Sequence, residues 1–166
     1  MNEHHKDQLP KQTQGQIRER AVRYFFLDSD LKPICAGSVL YTNRRGLVAH
    51  VSTAQHSGPG DVRFWYGFRK NHLLSISKAK EAYFVACGFL NKDRTIYFSF
   101  PCLADDKNVF LCGRQLLSES KDHFNIELTL SKDKTFLLNV YNGEPINANP
   151  FVAPPGKIVD LSVIGI

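Results

Sequence analysis

A chain of 166 residues, 43% hydrophobic and 11% aromatic, can build one hydrophobic core but not two ordinary domains, and this composition excludes a disordered polymer. The net charge of +5 is polarised: residues 1–80 carry 13 Lys and Arg against 6 Asp and Glu, residues 81–166 carry 8 against 10, and a basic half of this kind attracts polyanions, nucleic acid foremost. No apolar run approaches the roughly 18 residues of a membrane span, and the polar first 20 residues lack the apolar stretch of a signal peptide, so the expected location is cytoplasmic.

In chain order, residues 1–16 (MNEHHKDQLPKQTQGQ) are too polar to pack and read as a flexible tail, leaving 17–166 as a single β-barrel-like domain. From Ile17 onward, β-branched and aromatic runs alternate with turn residues: AVRYFFL, the turn DSDLKP, ICAGSVLYT, the turn NRRG, then LVAHVSTA. The loop QHSGPGD cannot continue a strand. In VRFWYGF, Phe64, Tyr66 and Phe68 fall on one strand face and Trp65 and Gly67 on the other. The segment KNHLLSISKAKEA predicts a short helix, with Leu73 and Ile76 three residues apart and Asn71 as its N-cap. YFVACGFL reads as a strand buried on both faces, followed by RTIYFSFP. CLADDKNVFLCG suggests a second short helix, HFNIELTLS and TFLLNVY a hairpin, and KIVDLSVIGI a closing strand. The expected fold is mainly β: an open seven- to nine-stranded pseudobarrel with one or two short helices.

Catalytic and metal-binding patterns are absent from this string. There is no G-x-S-x-G, no H-E-x-x-H and no phosphate-binding glycine loop, and no Lys stands two residues after Glu81 or Glu127 as an acidic nuclease strand requires. The four cysteines form no CxxC pair and are expected to be reduced, buried and metal-free; no metal and no cofactor is expected. What stands out is a set of cations, amides and histidines at strand ends in the basic half: Arg18, Arg20 and Arg23 at the first strand, Arg44 and Arg45 in the second turn, then Gln55, His56, Arg63, Arg69, Lys70, Asn71, His72 and Lys78. Arg and Lys neutralise phosphates, Arg can pair with guanine, and Asn or Gln with adenine.

The order of these elements, with FWYGFRKNHLLSISKAKEAYFVACG, RTIYFSFP and the HFNIELTLS–TFLLNVY pair at its centre, resembles the pseudobarrel DNA-binding domain shared by plant B-three transcription factors and the recognition domains of some restriction endonucleases. The resemblance covers about residues 20 to 140 as an order of elements. It implies a domain without catalytic residues that clamps the major groove of double-stranded DNA with two arms, here near Arg44–Arg45 and near Arg63–His72, and whose nuclease, in a restriction system, belongs to a partner domain or subunit. Two other readings stay open: a metal-dependent restriction-type nuclease, and a barrel that binds RNA or an anionic ligand.

Overall fold

In the computed structural model, which describes residues 11–27, 30–56, 62–91, 94–102, 123–133, 135–139 and 145–152, the strand-forming runs assemble into two sheets. Strands β1 (Lys32–Pro33), β2 (Leu40–Thr42), β3 (Leu47–Gln55), β5 (Glu81–Asn91) and β6 (Arg94–Pro101) form a five-stranded sheet in the order β1-β2-β3-β5-β6. The four-stranded sheet consists of β4 (Arg63–Arg69), β7 (His123–Leu130), β8 (Phe136–Asn139) and β9 (Ile146–Asn147), in that order. Helix α1 (Lys11–Phe25) precedes the sheets, α2 (Lys70–Lys78) links β4 to β5, and a short 3-10 turn spans Asn149–Phe151. The fold is mainly β and open, as the sequence predicts, and the described strands close no barrel.

Strands β3 and β5 pair in parallel, Leu47 opposite Glu81 through Gln55 opposite Phe89, so the chain must cross over between them. It does so by donating β4 to the facing sheet and returning along α2. The alternation in β4 buries Phe64, Tyr66 and Phe68 and exposes Arg63, Trp65, Gly67 and Arg69. Against the buried rings pack Ile126 and Leu128 of β7, Phe136 and Leu138 of β8, Phe84 of β5, and Phe98 and Phe100 of β6. Leu73 and Ile76 of α2 join this core, so the helix is held by the same contacts that hold the sheets together. At Gly88 the fit leaves no room for a side chain: a Cβ there would lie 2.7 Å from the Phe64 ring.

The opposite face of the five-stranded sheet is covered by α1. Ile17, Ala21 and Val22 pack on Tyr41, Ala49, Val51, Val85, Cys87 and Tyr97, which is why β5 is apolar on both faces. This overturns the strand expected for AVRYFFL. The spacing Ile17, Ala21, Val22 is a helical stripe, and the sheet's second face supplies the partner that makes it helical. The helix begins at Lys11, inside the stretch read as tail; residues 1–10 lie outside the described residues. ICAGSVLYT is also only partly a strand: the chain turns at Cys35–Ser38, with Gly37 at φ 77°, and β2 starts at Leu40. The turn bares Cys35, contrary to the expectation that every cysteine is buried, while Cys87 and Cys102 are buried free thiols. Cys112, the helix expected at CLADDKNVFLCG and the closing strand KIVDLSVIGI fall outside the described residues.

Candidate nucleic-acid interface

Where β4 ends, the chain passes directly into α2, so Arg69 is at once the last strand residue and the helix N-cap. Asn71, expected as the cap, is instead the second residue of the helix, with its side chain exposed. Capping falls to His72, whose Nδ1 accepts the Arg69 backbone N–H at 3.4 Å. The same Nδ1 lies 3.3 Å from Nε2 of His50 on β3. An Nδ1 that accepts the Arg69 amide carries no proton, so His50 donates from Nε2, leaving its own Nδ1 to accept from the Ser52 hydroxyl at 3.5 Å. The His50 ring is fully buried and stacks on Phe68 with centroids 4.2 Å apart.

Burial, and secondarily the neighbouring His72, push His50 down to about 3. Desolvation and the Arg69 charge likewise lower His72, which is half-buried. Both imidazoles are therefore neutral at physiological pH, and the strand-to-helix corner is locked from the core outward. Arg69 and Asn71 project from this corner.

Beside it runs an open groove of about 960 Å³, with the irregular segment Ile34–Val39 and the first β2 residue, Leu40, as one wall and Gly67, Phe68, Arg69, Asn71 and His72 as the other. These lining residues include no carboxylate. Along α2, Asn71, Leu74 and Lys78 are exposed and Ser75 is partly so, a spacing of three or four that sets them on one face. Leu74 is 43% exposed, an apolar group on an otherwise polar helix surface. At the helix exit the Lys80 backbone N–H donates to the Gly46 carbonyl at 3.1 Å, which brings the β2–β3 turn, with exposed Arg44 and Arg45, against the end of α2. Asn43 Oδ1 holds that turn by accepting the Arg45 and Leu47 amides, and Gly46, at φ 85°, supplies the left-handed residue. Nine helical residues at about 1.5 Å each separate the two basic ends by about 13 Å.

The remaining expected residues lie elsewhere. Arg63 is at the opposite end of β4 from Arg69, about 20 Å away at 3.3 Å per residue, so the expected arm near Arg63–His72 is split between the two ends of one strand. Its guanidinium faces Glu127 at 3.9 Å, and its amide donates to His56 Nδ1 at 3.4 Å. Gln55 and His56, both partly buried, belong to that far end. Arg18, Arg20 and Arg23 are on α1, behind the five-stranded sheet.

Sequence reasoning missed Leu74, Ser75 and Lys80 as surface groups of the site, as well as the wall formed by Ile34–Leu40. The Gly37–Ser38 pair was the available sign that this wall is not a strand. Among the described residues no group of three or more His, Cys, Asp or Glu is placed to hold a metal ion, and no helix is long and apolar enough to cross a membrane. Comparison of the chain with protein-family models, with curated proteins and with solved structures returned no match in any of the three.

Proposed function

We propose that the protein is a sequence-reading module for double-stranded DNA, with the exposed face of α2 and the Arg69 corner as its reading surface. The observation that carries this reading is the disposition of charge around one rigid helix. Arg69 and Lys70 stand at its start, Lys78, Lys80, Arg44 and Arg45 at its end, and Asn71, Leu74 and Ser75 between them. The spacing of about 13 Å between the basic ends is close to the ~12 Å width of the major groove, so cations at both ends can meet phosphates while the middle faces base edges. Arg69 and Asn71 can each make two hydrogen bonds to one base edge, and Leu74 suits a thymine methyl. Kinship with the B-three pseudobarrels, and a nuclease on a partner chain, belong to the same proposal, with the arm near Arg44–Arg45 retained and the other reduced to Arg69–His72.

Binding selections from random duplexes, repeated on variants, test it. Arg69→Ala and Asn71→Ala each cost about 1–3 kcal/mol on the selected sequence and much less on random DNA, whereas Lys70→Ala weakens both alike. The slope of log affinity against log salt is about −0.9 per phosphate contact. A flat salt response, or a sequence preference unchanged in both Arg69→Ala and Asn71→Ala, overturns the proposal. Cleavage in Mg²⁺ would favour the nuclease reading, and a preference for single strands the RNA-binding one.

A further inference from the structure

A second concavity, about 980 Å³, lies between α1 and the Pro33–Tyr41 region, separated from the α2 groove by the turn that carries Gly37 and Ser38. Arg18, Glu19, Arg20 and Arg23 line it. Arg18 is only 9% exposed, yet its Nε has no hydrogen-bond partner. A guanidinium drawn this far out of water normally has an acceptor for each buried N–H, because an unmet donor forfeits its hydration without return. The Tyr41 hydroxyl lies within hydrogen-bonding reach of Arg18 and donates to Glu19 Oε1 at 3.2 Å. Glu19 is thus engaged with Tyr41 and does not serve Arg18 Nε.

We propose that this concavity binds a phosphate monoester, with Arg18 as the recessed donor and Arg23 closing over the ligand from the rim. Three guanidiniums against one carboxylate leave two positive charges in the lining, which matches a monoester at neutral pH, carrying about −1.5 to −2. A DNA backbone phosphodiester fits less well. It carries one charge, and it is held on a duplex too broad to reach a side chain nine-tenths buried. The site is therefore distinct from the α2 surface and independent of the DNA-reading proposal.

The test follows the assigned Arg18 Nε–H signal in ¹H–¹⁵N spectra of the full chain, without DNA, as inorganic phosphate, phenyl phosphate or dimethyl phosphate is added. Phosphate and phenyl phosphate shift the signal saturably, and dimethyl phosphate binds at least roughly tenfold more weakly for want of the second charge. Arg23→Gln, an exposed change that spares the fold, weakens phenyl phosphate binding roughly tenfold, and Lys70→Ala leaves it unchanged. No saturable shift by about 10 mM phosphate overturns the proposal. So does equal binding of dimethyl phosphate, which would assign the arginines to a nucleic-acid backbone, and so does an Arg23→Gln protein that binds like the wild type. A protein that fails to bind DNA yet shows the monoester titration refutes only the DNA-reading proposal.

Discussion

The two faces of the five-stranded sheet are packed by different rules. Between the sheets, where stacked strands stand about 10 Å apart, the gap is filled by rings: Phe84, Phe98 and Phe100 reach across to Phe64, Tyr66, Phe68 and Phe136. Phe84 and Phe100 stack at 5.7 Å, and Phe98 meets Phe136 edge-on at 5.0 Å. Behind the sheet, Ala21 and Val22 of α1 sit on Ala49, Val51, Val85 and Cys87, and the larger Tyr41 and Tyr97 also contribute. Small side chains let the helix approach closely but bury less area per residue. The inner face can therefore fix geometry, and it is the one that carries the His50 ring, stacked on Phe68 and met edge-on by His72, beneath the α2 corner. The outer face tolerates a charged residue, Arg18, within its layer.

The largest expected effect separates these faces by stability. Phe98→Ala, which empties a ring from the inner core, destabilises the protein by about 3–5 kcal/mol, whereas Val51→Ala on the outer face costs roughly 2 kcal/mol. Paired denaturant titrations measure both. Equal losses would mean that the α1 layer is packed as tightly as the inter-sheet core, and the contrast would fail.

The same contrast explains what the sequence made readable. Phe64, Tyr66 and Phe68 in β4, and Ile126, Leu128 and Leu130 in β7, alternate cleanly because each strand has one face in the aromatic core and one in solvent. Leu73 and Ile76 reveal α2 for a related reason, since a single face of the helix is buried. Helix α1 was misread because Tyr24, Phe25 and Phe26 are strand-forming types, and what decides their conformation is a sheet face built by residues 41–97, far along the chain. The continuous apolar run of β5 signalled that something covers that face without saying what. The corner was legible in its cations but not in its lock: His50 and His72 are 22 residues apart, and only the β3–β5 crossover brings them together.

A second prediction uses pH to test that lock. His50 is held near 3 in the folded protein against about 6.5 when unfolded, so above pH 6.5 both states are neutral and the histidine adds no pH dependence. As pH falls through 6.5 the unfolded chain takes up a proton that the folded chain refuses, and stability drops by about 1.4 kcal/mol per pH unit. Between pH 6.5 and pH 5 the loss is about 2 kcal/mol, with the depressed His72 acting in the same direction. Urea midpoints from pH 7.5 to 5 measure the slope, and His50→Phe, which preserves a ring on Phe68, lowers it by about one proton. A slope unchanged in that variant would show that His50 is not buried neutral and that the corner is secured some other way.

The smallest expected effect on stability is also the one that tells most about recognition. Leu73 and Leu74 are adjacent on α2, but Leu73 is 5% exposed and belongs to the aromatic core, whereas Leu74 is 43% exposed and touches the solvent side between Asn71 and Lys78. If Leu74 is present only because some apolar surface is unavoidable, Leu74→Ala changes neither stability nor binding. If it contacts a thymine methyl, the variant keeps stability within about 0.5 kcal/mol of the wild type, since alanine is the better helix former and little burial is lost, while its preference for one A·T position in the selected duplex weakens. Substituting uracil for thymine at that position removes the methyl from the DNA instead and should reproduce the loss in the wild-type protein. The two changes should not add, because each deletes one side of a single contact. Additive losses would show that the leucine and the methyl act separately, and Leu74 would then have no place in the reading surface.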